Sequence, residues 1–489
     1  MATRETDMLI VGAGFSGLIM AMEARKRGLA RIDILEKADD IGGTWRENTY
    51  PGVACDVPSH LYSLASHPNP GWSTAYAGGG EIQCYLQKVA RDETLYDLCH
   101  FGQTLRAARW DGARWQVETD EGQHWSARFL VSAIGALHVP NIPALPGADS
   151  FPGSAFHSAR WGHGVDLAGK RIAVVGTGAS AVQFVPEIAP KAARVSIFQR
   201  TPPYVLPRPD GPIAPWVRRL YARLPLLPRI RRALIYAVFE FRHAVFRGKP
   251  RAVDFAMRMW QKALTDAIPD PEEQAKLTPP YRIGCKRILS SNDWYPALAR
   301  KNVEVIPHGV ARVEGDTLVA TDGTRVQADV LIWGTGFHVT DAAERLDITG
   351  ADGLTIRTAW AKGMSAHLGT TVADFPNFFV LLGPHTGLGH NSVVLMIEAQ
   401  VEHIGRLLDA MQKQRLATIS PKPQAQAAFE AEMQERLTVS VWQAGGCSSW
   451  YQDSSGRNTT LWPGTVGEYR KRMAGAGMEQ YLTSPLTHT

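Results

Sequence analysis

FPGSAFHSARWGHGVDLAGKRIAVVGTGASA, residues 151–181, runs a histidine-bearing loop into an apolar strand and then into a glycine-rich turn. The turn Gly176-Thr-Gly178-Ala-Ser180-Ala181 follows the apolar run Ile172 to Val175 and opens an apolar segment, Ala181 to Ile188, read as a helix despite Pro186. In that context the first glycine permits a tight bend and the second lets backbone N–H groups approach a pyrophosphate. The small third residue packs helix on strand. A single such turn is weak evidence, but this one has a twin, Gly12-Ala-Gly14-Phe-Ser-Gly17, after the apolar run Met8 to Val11.

The twins differ where nucleotide chemistry requires it. The end of the second strand reaches the adenosine ribose, where a carboxylate bonds the 2′-OH and an arginine accommodates a 2′-phosphate. Twenty-four positions beyond each first glycine stand Glu36 in the first unit and Arg200 in the second. The first site is therefore expected to take an unphosphorylated ribose, as in FAD or NAD, and the second NADPH. The fold expected is α/β, with two Rossmann-like dinucleotide-binding domains and a helical insertion.

The chain of 489 residues is long enough for two or three domains, and 45% hydrophobic with 20% charged residues excludes bulk disorder. A net charge of +5 says little about partners by itself. Cys55, Cys84, Cys99, Cys285 and Cys447 form no CxxC pair and no metal-ligand spacing, so free thiols in a reducing cytosol and no metal are expected. The N-terminus lacks a signal pattern and no run of about 18 apolar residues occurs, so a soluble, cytoplasmic chain without a membrane span is expected.

Along the chain, residues 41–63 are rich in Gly, Pro and aromatics and read as a long loop beside the first turn; Asp56 there reads as a turn or helix cap before Pro58 and Ser59. A helix is expected over 80–100, and strands over 104–134 with a hairpin at Asp120-Glu121-Gly122. Pro140, Pro143 and Pro146 form a stiff connector. The expected domains are 1–140 for the first part of the FAD domain, 141–205 and 281–330 for the NADPH domain, 206–280 for a helical insertion and 331–489 for the return to the FAD domain. Helices are expected over 229–248 and 252–267. From Trp216 to Arg251 nine Arg and one Lys face a single acid, Glu240. This stretch is either a solvated insertion or a surface for anionic membrane; nothing in it resembles a nucleic-acid reader. The turn Gly383 to His390 precedes a helix from about Ser392 to Gln412, and its two histidines, His385 and His390, read as part of a flavin loop rather than a metal site.

These residues resemble a family, the type I Baeyer–Villiger monooxygenases among the class B flavoprotein monooxygenases. Phe151, Gly153, His157 and Trp161 match its fingerprint F-x-G-x-x-x-H-x-x-x-W, with Gly162 departing at the next position. A second pattern is met by Gly43, Trp45, Tyr50, Pro51, Gly52 and Asp56. The strand end Ala133-Ile134-Gly135 departs from the family's usual Ala-Thr-Gly.

The resemblance implies FAD, NADPH and O2, a ketone or aldehyde substrate, and insertion of one oxygen next to the carbonyl through a C4a-peroxyflavin to give an ester or lactone. It implies that Arg287 is the catalytic arginine and that Asp56 holds it. Lys286 would join Arg200 and Thr201 at the NADPH 2′-phosphate, and His157 would link domain movement to cofactor position. Cofactor contacts are expected from Gly12, Gly14, Gly17, Glu36, Thr44, Trp45 and Asp56 on one side and Gly176, Gly178 and Ser180 on the other. Trp450 either covers bound cofactor or packs in the core. The alternative is an N- or S-oxygenating flavin monooxygenase, which needs no Asp56–Arg287 pair.

Overall fold

A computed structural model of the chain describes residues 3–339 and 346–486. The first sheet is built on β1 (Arg4–Val11), α1 (Phe15–Lys26) and β2 (Ile32–Glu36), followed by the short helix α2 (Thr44–Glu47) and α3 (Gly79–Asp92). It continues with β3 (Cys99–Phe101), β4 (Leu105–Trp110), β5 (Trp115–Thr119) and β6 (His124–Ser132). β1 lies parallel between β2 and β6, and β4, β5 and β6 form an antiparallel meander at one side. Met8, Leu9 and Ile10 are fully buried, as a central strand covered on both faces requires. Phe378–Val380 also pairs with β6, so the late chain completes the first sheet.

The second sheet is wholly parallel: Val303–Ile306, then β9 (Arg194–Phe198), β8 (Arg171–Val175), Val330–Trp333 and β7 (Ser154–His157). α4 (Ala179–Ile188) follows β8 and tolerates Pro186 inside it. The two expected Rossmann-like units are present and repeat one construction. Gly12 N donates to Leu35 O and Gly176 N to Phe198 O, while Ala133 N donates to Val11 O and Gly334 N to Val175 O.

Three expectations are corrected. The helix expected over 80–100 stops at Asp92, because Thr94 takes a left-handed φ of 50° and the chain turns into a short 3-10 segment, Leu95–Leu98. Val330–Trp333 sits inside the second sheet, so the return to the first sheet begins after Trp333 and not at 331. Cys285 and Cys447 are joined in a disulfide, which leaves Cys55, Cys84 and Cys99 as free thiols.

The insertion comprises α5 (Pro215–Arg223), α6 (Leu226–Phe246) and α7 (Pro250–Ala267). Prolines between 202 and 228 hid α5 in the sequence, but Pro215 stands in its first turn, where the missing N–H costs no helical bond. α6 is tied to the first domain by Arg232, which donates to the carbonyls of Leu61 and Ser63 and pairs with Glu398. α7 buries Ala256, Trp260 and Leu264 in the second core, with Trp260 Nε1 donating to Tyr295 OH at 2.9 Å. The insertion therefore spans both domains. Among the described residues no helix is long and apolar enough to cross a membrane.

Candidate active site

Both glycine turns are closed in ways that exclude side chains. Gly12 has φ +108°, and a Cβ there would lie 2.6 Å from Ala133 O; Gly176 has φ +104°, and a Cβ would lie 2.4 Å from Gly334 O. Gly17 packs so tightly on the turn that a Cβ would meet Gly12 O at 1.9 Å. α1 and α4 start at Gly14 and Gly178 with no side-chain cap and no acid in the first turn, leaving their N-terminal amides and dipoles for an anion. Gly43 faces Gly14, where a Cβ would come within 3.2 Å, so a bare backbone cradle lies between the first turn and α2 with its Thr44 and Trp45.

Glu36 is buried at the end of β2 and accepts from Ala13 N at 2.9 Å and Ala38 N at 3.0 Å. That carboxylate, next to the first turn, is the group a ribose diol needs. In the second domain Arg200, Thr201, Tyr281, Lys286, Cys447 and Ser448 line a cavity of about 300 Å³. Lys286 lies 5.3 Å over the Tyr281 ring, and burial, followed by the Arg200 charge, pulls its pKa below the usual lysine range. Two cations sharing a cavity in this way fit a phosphate dianion. The residues present thus fit FAD in the first domain and a 2′-phosphorylated nicotinamide nucleotide in the second.

Asp56 and Arg287 come from chain segments far apart and meet in a bidentate pair: Nε donates to Oδ2 at 2.9 Å, and Nη2 to Oδ1 and Oδ2 at 2.8 and 2.6 Å. The Asp56 charge, acting against desolvation, raises the Arg287 pKa further above its already high ordinary value. Arg287 keeps 33% of its side chain exposed. The turn-or-cap reading of Asp56 gives way to this pairing.

The loop that carries Asp56 is also held from the other domain. Gln183 of α4 accepts at Oε1 from Tyr50 OH at 2.9 Å and Ala54 N at 3.3 Å, and its Nε2 donates to Ala54 O at 2.9 Å. Sequence reasoning missed Gln183, although a lone amide in the apolar helix ASAVQFVPEI was a usable signal. It also missed Tyr451, fully buried beside Arg287, whose hydroxyl has no hydrogen-bond partner within ordinary geometry. Burial pushes the Tyr451 pKa up to about 12, with Arg287 acting in the opposite direction, so the phenol stays neutral.

The late loop reaches the site by covalent and backbone ties. Cys447 is bonded to Cys285, two residues before Arg287, and Arg282 N donates to Gly445 O at 3.0 Å. Trp450 is 42% exposed with its ring 4.3 Å from that of Tyr451, so it is not a core residue. Ser180 lies in the first turn of α4, with Thr177 and Thr201 adjoining it through a 3.5 Å bond from Thr177 Oγ1 to Thr201 O.

His157 ends β7, buried against Phe337 at 5.7 Å between ring centroids, where the chain crosses back toward the first domain. Burial pushes its pKa down to about 4, so it is neutral, and Nδ1 accepts from Ala159 N. Trp161 packs on Phe156 and Phe184. His385 and His390 do have carboxylates near them, Glu430 at 3.2 Å and Glu240 at 3.6 Å. Among the described residues no group of three His, Cys, Asp or Glu is arranged to hold a metal ion.

A profile of the pyridine nucleotide-disulphide oxidoreductase family matches residues 9–225. The chain is 45% identical over 475 residues to a Baeyer-Villiger monooxygenase of Streptomyces coelicolor, covering 96% of this chain and 91% of that protein. Its structure superposes on an oxidized steroid monooxygenase bound to NADP with a TM-score of 0.87 and 32% identity, covering 98% and 99% of the two chains. It superposes on an OTEMO complex with FAD and NADP with a TM-score of 0.86 and 26% identity, covering 98% and 99%.

Proposed function

The chain belongs to the Baeyer–Villiger monooxygenases, and from that premise we propose that Arg287 and Asp56 carry its chemistry on a ketone or aldehyde, with O2 as the oxygen source. The enzyme is FAD-dependent, draws on NADPH, and inserts one oxygen next to a carbonyl. Bound FAD, reduced by NADPH, supplies the activated oxygen.

Arg287 supplies a charge that never titrates. Oxygen must attack the carbonyl as a nucleophile, and the carbonyl oxygen then becomes anionic; a fixed guanidinium lowers the energy of both negative charges in a site sheltered from water. Asp56 grips that guanidinium with both oxygens and so fixes its plane, without taking a proton from it. Tyr451 is buried beside Arg287.

Glu36 would hold the FAD ribose, and Gly12, Gly14, Gly17, Thr44 and Trp45 would receive the rest of the cofactor. Gly176, Gly178 and Ser180 would receive the NADPH pyrophosphate, while Arg200, Thr201 and Lys286 would grip the 2′-phosphate. His157 would position the crossing between domains, and the exposed Trp450 would cover bound nucleotide from the late loop. The FAD domain is residues 1–140 with the return after Trp333, and the NADPH domain is 141–205 with the chain from 281 through that strand. Stoichiometric use of NADPH, which cells keep reduced internally, supports a cytoplasmic location.

The observation that carries this reading is the bidentate Asp56–Arg287 pair beside the two-cation cavity. The rival N- or S-oxygenating chemistry uses a protonated, electrophilic oxygen and gains nothing from a fixed cation. Linear, cyclic and aromatic ketones, sulfides and amines offered to FAD-loaded enzyme with NADPH decide between them. Esters or lactones are expected; oxygenated sulfides and amines with no ketone converted would overturn the assignment.

A further inference from the structure

We propose that the outer face of α5 and α6 is a docking surface for an anionic lipid bilayer. α6 is apolar on two opposite sides. Its inner side, with Phe239, His243 and Phe246, is buried. On the outer side Leu226, Ile230, Leu234, Val238 and Phe241 are exposed, Phe241 by 81% and Leu226 and Leu234 by 66% and 63%. At about 100° per residue these five fall within one arc centred opposite Phe239, and at ~1.5 Å per residue they form a stripe about 22 Å long. α5 carries Trp216 and Leu220, Leu224 follows its last residue, and α7 carries Phe255, all exposed. An exposed apolar stripe of this kind marks an interaction site.

Charge identifies the occupant. The same helical geometry sets exposed Arg229 on one flank of the stripe and exposed Arg231 on the other. Arg219, Arg223, Arg247, Lys249 and Arg251 are exposed nearby. The single acid of the stretch, Glu240, turns inward to accept from the amides of Val466 and Gly467. The ten basic residues from Arg218 to Arg251 exceed the whole chain's net +5, so the rest of the molecule is net acidic and the positive charge is concentrated here.

A second copy docked face to face on this patch would bring like charges together, since a twofold interface pairs a surface with itself. A nucleic acid would leave the apolar stripe in water. An anionic bilayer matches both features at once, taking the apolar stripe among its acyl chains and the arginines among its headgroups. Glu240, Arg232 and α7 hold the patch rigidly to both nucleotide-binding domains, so the enzyme would lie on the surface as one body.

Flotation of the FAD-loaded enzyme with phosphatidylcholine vesicles, with and without phosphatidylglycerol, tests this. Binding is expected to the phosphatidylglycerol vesicles, falling as salt is raised. Combined Ile230→Ser, Leu234→Ser and Phe241→Ser should weaken it by at least about ten-fold. Arg229→Glu with Arg231→Glu should abolish the preference for anionic lipid. Both variants should keep the wild-type melting temperature, FAD content and rate of flavin reduction. Equal binding to both vesicles, or none to either, would overturn the proposal. So would a solution dimer, by light scattering, that the serine variant dissociates, because a second copy would then be the occupant.

Discussion

Arg287 and Lys286 are neighbours in sequence, and substitution separates the roles proposed for them. Arg287→Ala removes the charge proposed to face the reacting oxygens and leaves the Arg200–Lys286 cavity intact. Reduction of the flavin by NADPH, followed by its bleaching, should be little changed, while ester or lactone formation falls by roughly 10²–10³-fold or more. Arg287→Lys should not rescue it, since an ammonium cannot make the two parallel bonds that Asp56 accepts. At the other cation, Arg200→Ala should raise the KM for NADPH by about 10- to 100-fold, as loss of a charge-assisted phosphate contact implies, with NADH unaffected. Equal effects on both nucleotides would remove Arg200 from the phosphate site. Glu36 and Arg200 were legible in the sequence because a glycine turn fixes the offset to the next strand end. Tyr451 was not, because its place beside Arg287 depends on how a late loop folds over a distant one.

At the scale of one element, α6 shows why helices are easier to see than their surroundings. Its periodicity was legible, but its inner partners are supplied by residues 383–392 and 463–467, which no local pattern connects to it. His243 lies 4.8 Å from the His390 ring, with Glu240 one turn earlier on the same helix. Burial first, and then the nearby His390 and Arg247, push the His243 pKa down to about 4, with Glu240 acting against them. Burial likewise takes His60 to about 4. A depressed histidine stabilises the fold fully above its unfolded pKa of about 6.5, and that stability is lost as pH falls toward 4. Each such histidine contributes roughly 3 kcal/mol across the window. Glu240 behaves as the usual carboxylate: burial would raise its pKa, but His390, the Gly467 and Val466 amides and Asn391 hold it at about 2. Its contribution is present above about pH 4.5 and disappears below it. The melting temperature should therefore be flat above pH 7 and fall steadily from 6.5 to 4, and His243→Gln should flatten part of that slope. A melting curve that rises on acidification through this range would contradict the buried neutral state.

The whole molecule is two copies of one strand-turn-helix unit joined by crossings at Ala133 and Gly334, and the twin glycine turns made that plan visible. The long-range ties were hidden. Cys285 and Cys447 are 162 residues apart, and spacing alone offered no reason to pair them. Protein isolated in air should show three reactive thiols on unfolding without reductant and five with it. Equally hidden was the means by which one domain steadies the other's catalytic loop. Gln183 belongs to the NADPH-binding half, yet its amide makes three hydrogen bonds to Tyr50 and Ala54 in the loop that carries Asp56. Gly52 is pressed so near the same helix that a Cβ would lie 2.8 Å from Gln183 O. Replacing Gln183 with leucine keeps the volume but leaves the Ala54 amide and carbonyl unpaired, at a cost of about 1–3 kcal/mol. Because neither the glycine turns nor the Arg200–Lys286 cavity is touched, NADPH should still bind and reduce the flavin at near wild-type rate. Asp56, and through it the Arg287 guanidinium, should lose its fixed orientation. The fraction of consumed NADPH that appears as ester or lactone should then drop, with hydrogen peroxide making up the difference. A Gln183→Leu enzyme with an unchanged product-to-NADPH ratio would mean that Asp56 is positioned from within its own domain, and that the contact between the halves serves stability alone.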